Sequence, residues 1–272
     1  MLSLTGSATS VLTAAAPAEK IELSDKIAAA WRTGAIIEIG DTQPPDRPAR
    51  PARPPLLPPR EMPKRRAGGE RESRVALLHA LAHIELNAID LAWDLIARFA
   101  SEQPPRAFFD DWVKVADEEA THHGLVAERL IALGAAYGDL PAHDGLWEAA
   151  AATAHDLLAR LAVVPLVLEA RGLDVTPAMI GRLERARDAE SAAVLRRIYE
   201  DEIAHVAAGR RWFDWACAER GLSPVETYQD RVRRCFKGAL KPPFNEAARS
   251  AAGLAPAFYA PLACQPRPAA AE

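Results

Sequence analysis

ADEEATHHG, residues 116–124, and YEDEIAHVA, residues 199–207, carry the same acid–imidazole pair: Glu119 with His122, and Glu202 with His205. Residues three apart share one face of an α-helix, so each pair projects as a unit. Trp112, Val115, Ala116, Val126 and Leu130 lie along the stripe of Glu119. Leu195, Ile198, Val206 and Phe213 lie along that of Glu202. Apolar stripes of this kind face a core. A carboxylate there is costly unless it is paired or binds a metal ion.

Two further acids sit the same way. Glu85, in HALAHIELNAIDLAWDL, shares its face with Leu78, Leu81, Ala82, Ala88, Ile89 and Ala92. Glu169, in LAVVPLVLEARG, shares its face with Leu158, Ala162 and Leu166. A lone core glutamate on two helices and a Glu-x-x-His on two others is the ligand signature of ferritin-like dinuclear carboxylate bundles. The spacing adds an independent check. Glu85 and Glu119 lie 34 residues apart, Glu169 and Glu202 lie 33 apart. Two antiparallel hairpins that meet at one metal level need such matched spans. The midpoints put one turn beside Pro104-Pro105 and the other near Arg185–Asp188. GLDVTP, residues 172–177, then reads as a kink inside the third helix.

The acids just before each motif glutamate, Glu118 and Asp201, point sideways from the ligand face. A metal-bound histidine donates its free N–H to such a group. Asp201 is expected to orient His122, and Glu118 to orient His205. Tyr199, one turn before Glu202, faces either the site or ordinary core. His83 lies about 200° from Glu85 around its helix, and His79 is also off that face. His123 belongs beside the ligand face or on a polar surface. His155 is too distant, and His143 lies in a loop.

The chain of 272 residues is 49% hydrophobic, enough for one domain with appendages. A net charge of −4 excludes nucleic-acid binding by overall charge. Cys217, Cys235 and Cys264 form no CxxC pair, which points to a reducing, cytoplasmic setting. No apolar run reaches the length of a membrane span. The first 16 residues, lacking a basic leader, read as a frayed terminus rather than a signal peptide.

The expected fold is all-α. Residues 1–70 form an N-terminal extension, with a helix over 17–33 and a Pro/Arg-rich strap over 43–66. Proline forbids a helix in the strap. It reads as a semi-rigid linker lying on the domain, or as a contact for an acidic partner or RNA. Residues 71–220 carry the bundle, with segments at 73–101, 107–134, 144–171 continuing from 177, and 188–220. Asp144 reads as an N-cap. Residues 221–272 form an irregular C-terminal extension with a helix near 223–237. Within it, KGALKPPFNEAARS (237–250) is the candidate lid. One piece fits badly: residues 135–144 reach at most about 33 Å, short for a crossover along the bundle. Either the second helix ends near Gly124 or residues 146–158 share the crossing.

The blocks PARPPLLPPREMPKRR, LLHALAHIELNAIDLAWD, DEEATHHG, VVPLVLEARGLDVTP and YEDEIAHVAAGRRWF resemble the ferritin-like family catalogued as domain of unknown function 455. The resemblance covers roughly residues 40–262. It implies a ferritin-like four-helix bundle with a di-iron carboxylate site at Glu85, Glu119, His122, Glu169, Glu202 and His205. The family's reaction is not established. Such donors suit iron, manganese or a mixed pair better than zinc or copper. The first functional expectation is an O₂-dependent oxidase or monooxygenase, acting on a small-molecule substrate with an external electron donor, in a cytoplasmic protein or homodimer. The second is iron handling or peroxide detoxification. The third is a metal-free helical scaffold.

Overall fold

The computed structural model describes residues 3–62 and 71–263. Cys264 and residues 63–66 of the strap lie outside this range. Among the described residues the chain is helical and has no β-strand, only isolated bridges between Leu56 and Ala142 and between Leu240 and Ala263.

The N-terminus is not frayed. Helix α1 (Leu4–Thr13) is capped by Ser3 and buries Leu4, Ala8, Val11 and Leu12. These positions recur at helical spacing, and that stripe packs against the core. Helix α2 (Pro17–Arg32) follows, then the strap. Arg47 of the strap pairs with Asp144, and Arg50 pairs with Asp90 and Asn87.

Helices α3 (Arg71–Arg98) and α4 (Arg106–Ala132) form an antiparallel pair turning beside Pro104 and Pro105. The chain then crosses through α5 (Gly145–Ala152) to α6 (Leu157–Val163). Because α4 runs on to Ala132, the crossing is not made by ending the second helix early. Residues 138–160 make it, laid along α3. Gly138 and Leu140 donate their backbone N–H groups to His79, at 3.0 and 3.3 Å. His83 lies 3.1 Å from the carbonyl of His143. Trp147 and Ala150 pack with Leu91, and Arg160 reaches Asp94. From His79 to Asp94 is about 22 Å of helix. Asp144 pairs with Arg47 and makes no capping bond; Asp156 is the cap that starts α6, accepting from Leu158 at 2.9 Å.

A π-helical turn, Val164–Glu169, joins α6 to α7 (Ala170–Arg185). Helix α8 (Ala189–Ala218) begins after a short turn, with Asp188 accepting from the Ser191 N–H at 3.1 Å. Asp188 also meets Arg74 and Arg129 at 3.1 and 3.2 Å. The third segment therefore starts beside the end of α3 and finishes beside its start. It runs antiparallel to α3, and α8 returns against it. GLDVTP is neither a turn nor a break, since α7 continues through Pro177. Proline has no N–H for the carbonyl four residues back. That carbonyl, on Leu173, accepts instead from Asn245 Nδ2 at 3.1 Å.

The C-terminal region is ordered rather than irregular. Helices α9 (Pro224–Cys235), α10 (Glu246–Ala251) and α11 (Pro256–Tyr259) fold back onto α6, α7 and α8. Helix α3 is long and apolar enough to cross a membrane by length and composition, but 72% of its most apolar window is buried inside the protein. It is apolar because α1, α4 and α5 cover it from several sides.

Candidate metal centre

The four long segments each bring acid to one place. Glu85 (3% exposed), Glu119 (0%), His122 (0%) and His205 (1%) are buried. Glu85, Glu119, His122 and Glu202 each present a donor atom within 4.8 Å of the others. His122 Nδ1 lies 3.6 Å from Glu85 Oε2 and 3.4 Å from Glu119 Oε2. His205 Nδ1 lies 3.0 Å from Glu119 Oε1 and 3.9 Å from Glu202 Oε1. Glu119 thus touches both imidazoles. Glu169 stands outside the tightest group but lines the same cavity as Glu85 and Glu202. Each helix pair contributes three of the six side chains.

The other ring nitrogen of each histidine faces an acid across the helix interface. His122 Nε2 lies 3.1 Å from Asp201 Oδ2 on α8. His205 Nε2 lies 3.0 Å from Glu118 Oε2 on α4. Arg197 braces Asp201 at 2.6 Å, and Lys114 lies 3.6 Å from Glu118. Tyr199 is not drawn into the cluster. Its hydroxyl accepts from Asn245 Nδ2 of the C-terminal region, at 2.9 Å.

Burial dominates the electrostatics. It raises Glu85 to about 7 and Glu169 to about 8, and the neighbouring carboxylates add to the rise. Glu202 moves well above the usual carboxylate range for the same reason. Burial works against ionised Glu119 too, but hydrogen bonds from His122 and His205 outweigh it and hold Glu119 well below that range. His122 is disfavoured as a cation by burial, yet Glu119 and Glu85 push it up to about 11. His205 rises likewise, through Glu118 and Glu119. Three of the four core glutamates are thus driven toward the neutral acid, because two imidazoles do not supply enough positive charge to keep all four ionised.

The hydrogen-bond inventory has the same gap. Glu85 Oε2, Glu169 Oε2 and Glu202 Oε2 are buried without a hydrogen-bond partner, while Glu119 Oε1 and His205 Nδ1 face only each other, at 3.0 Å. Buried polar atoms without partners are rare because each costs about 1–3 kcal/mol. Three such oxygens on carboxylates beside two buried imidazoles fit divalent cations, which take carboxylate oxygen and imidazole nitrogen together.

Glu169 owes its position to the π turn. Pro165 removes an N–H there, so the ordinary i to i−4 bond cannot form and the helix widens. Gly209 of α8 permits the close fit, since a Cβ at that position would stand 2.4 Å from Pro165 Cβ. A cavity of about 230 Å³ opens beside this turn. Its walls include Leu81, Ala88, Leu91, Val164, Leu195 and Ile198, and Glu85, Glu169 and Glu202 face it. Ile84, Val175 and Met179 are partly exposed at its rim.

The remaining histidines serve a different network. His79 and His83 stack on Tyr137, and His83 Nδ1 lies 2.8 Å from its hydroxyl. His123 is buried, 2.8 Å from the Ala82 carbonyl, rather than on a polar surface. Burial lowers all three from the usual imidazole value, His83 to about 4. His79 and His83, with Asn87, Asp90 and Asp94, mark a second buried polar stripe on α3. Its helical spacing, 79-83-87-90-94, is visible in the sequence. The cavity lining, by contrast, comes from α3, α5, the π turn, α7 and α8, and has no local sequence signal.

Fold and site define an all-helical protein with a buried glutamate–histidine cluster suited to metal ions. The sequence profile described as protein of unknown function (DUF455) matches residues 13–260, and the chain belongs to that family. A Haemophilus influenzae protein recorded as uncharacterized is 42% identical over 213 residues, covering 75% of this chain and 72% of that protein. No solved structure matches.

Proposed function

We propose that the chain is a ferritin-like four-helix bundle holding two metal ions, and that it is an O₂-dependent oxidase or monooxygenase of a small organic substrate. The observation that carries this reading is the apolar cavity lying directly on Glu85, Glu169 and Glu202, each of which has a buried carboxylate oxygen without a partner. Glu85, Glu119, His122, Glu169, Glu202 and His205 would hold the ions; iron or a manganese/iron pair suits this donor set. Ions bound there would supply activation of O₂ or peroxide.

The chain's own residues do the rest. Asp201 and Glu118 each accept from the outer nitrogen of an imidazole, leaving the inner nitrogen turned toward the cluster. Glu119, in contact with both imidazoles, links the two halves of the site. Leu91, Val164, Leu195 and Ile198 keep bulk water from the reacting side. Electrons would come from a separate donor protein, because the chain contains no CxxC pair. Iron handling draws less support, since the cavity reaching the cluster is apolar rather than a polar path for ions.

The test is to purify the protein without chelator and count metals per chain by plasma mass spectrometry. The oxidised visible spectrum is recorded on the same sample. Two irons, or one manganese and one iron, with O₂ uptake in the presence of reductant support the reading. Absence of metal after reloading with ferrous iron and manganese would sink it and leave a scaffold.

A further inference from the structure

The cavity beside the cluster has a chemical polarity of its own. One end is set by Glu85, Glu169 and Glu202, and the walls are aliphatic. Arg171 is the one cationic side chain among the lining residues, with 41% of its side chain exposed. Its Nη1 donates to the Lys241 carbonyl at 2.8 Å and lies 3.4 Å from Asp174 Oδ2. Asp174, however, already accepts two closer bonds from Arg249, at 2.8 and 2.7 Å, and one from the Asn245 N–H at 2.9 Å. Two guanidinium groups therefore share one carboxylate, and Arg171 brings uncompensated positive charge to the rim of an apolar pocket.

On the reading that the cluster is the reaction centre, we infer that this cavity takes a small apolar monocarboxylate, its anionic head on Arg171 and its hydrocarbon body toward the cluster. Charge fixes the direction. The planar guanidinium matches a carboxylate in a fork, and burying the charged head among the aliphatic walls would cost more than leaving it at the partly exposed rim. Size follows from the volume. A cavity of about 150 Å³ accommodates benzene, so about 230 Å³ accommodates on the order of nine carbon atoms. Long acyl chains exceed it, and doubly charged acids would bury their second charge among aliphatic walls.

The test is calorimetric titration of the full-length, metal-loaded protein with octanoate and with octan-1-ol. The same titrations are made on Arg171→Gln and on Ala88→Phe, which places a ring in the cavity wall. Octanoate is expected to bind at least about tenfold more tightly than the alcohol, in line with a charged hydrogen bond. Arg171→Gln should remove that advantage and leave the alcohol unchanged; Ala88→Phe should weaken both. The inference is overturned if the alcohol binds as well as the acid, if Arg171→Gln leaves octanoate unaffected, or if neither binds. Should Ala88→Phe not fold, the partly exposed Arg171→Gln decides alone. Metals are counted on every sample. Two ions per chain without preference for the acid defeats this inference and spares the metal centre. No metal, with the acid preference intact and lost in Arg171→Gln, defeats the metal centre and spares the cavity's selectivity.

Discussion

His122 and His205 each hold one ring nitrogen toward the carboxylates and the other toward an acid on the opposing helix. That arrangement makes Asp201 separable from the ligands. Asp201→Asn keeps its shape but loses its charge, so metal affinity should fall about 10–100-fold, measured by competition with a chelator. An unchanged affinity would deny Asp201 an orienting role. Asp188 gives a different single-residue prediction. Burial would raise its carboxyl, but the Ser191 N–H and side chain, with Arg129 and Arg74, hold it below its ordinary 3.8. A folded pKa below the unfolded one stabilises above the unfolded value, and the gain is lost as pH falls through the folded one. Asp188→Ala should therefore cost about 1–2 kcal/mol at pH 6, with the difference from wild type shrinking as pH falls below the ordinary carboxylate range in urea titrations. The residues of the buried cluster were legible because buried acid in an apolar stripe violates the usual pattern. Arg171 was not, since a lone arginine after an apolar run has no such signature.

Among the elements, the π turn is the one whose position the rest must respect. Gly209 and Pro165 are in direct contact, and a methyl group at 209 would overlap the proline ring. Gly209→Ala should separate α8 from the π turn, destabilise the protein by about 1–3 kcal/mol and carry Glu169 out of line. Denaturant titration and metal content, measured together, check both effects. Stability lost with metal retained would show that Glu169 is not needed to hold the ions. Periodicity located the helices but not this turn, because a single widened turn shifts the pattern by less than a residue. It also suggested a kink at Pro177. What takes up the carbonyl that Pro177 leaves without its helical donor is a side chain 68 residues away, Asn245, which no local reading reveals.

For the molecule entire, the prediction concerns metal removal. Ions that bind only the folded chain stabilise it by about 4 kcal/mol at a thousand times the dissociation constant. Chelation should then lower the melting temperature by on the order of 10 °C for a chain of this length. Equal melting temperatures with and without metal would count against a bound pair. The two helix pairs were readable in advance, since spans of 34 and 33 residues align their glutamates. The docked α1 and the crossover along α3 were not. Short helices with few apolar positions earn their structure from the surface they cover. That surface includes the polar stripe from His79 to Asp94, whose partners come from distant parts of the chain.

The division of the six cluster side chains between two helix pairs has a kinetic corollary. Each pair closes on local contacts and belongs to the fast-folding regime, whereas docking the pairs waits for the crossover to be threaded along α3. Neither half has the donors to hold a metal ion tightly by itself. Binding would therefore register the last assembly step, and refolding followed by metal absorbance should lag behind refolding followed by helical circular dichroism.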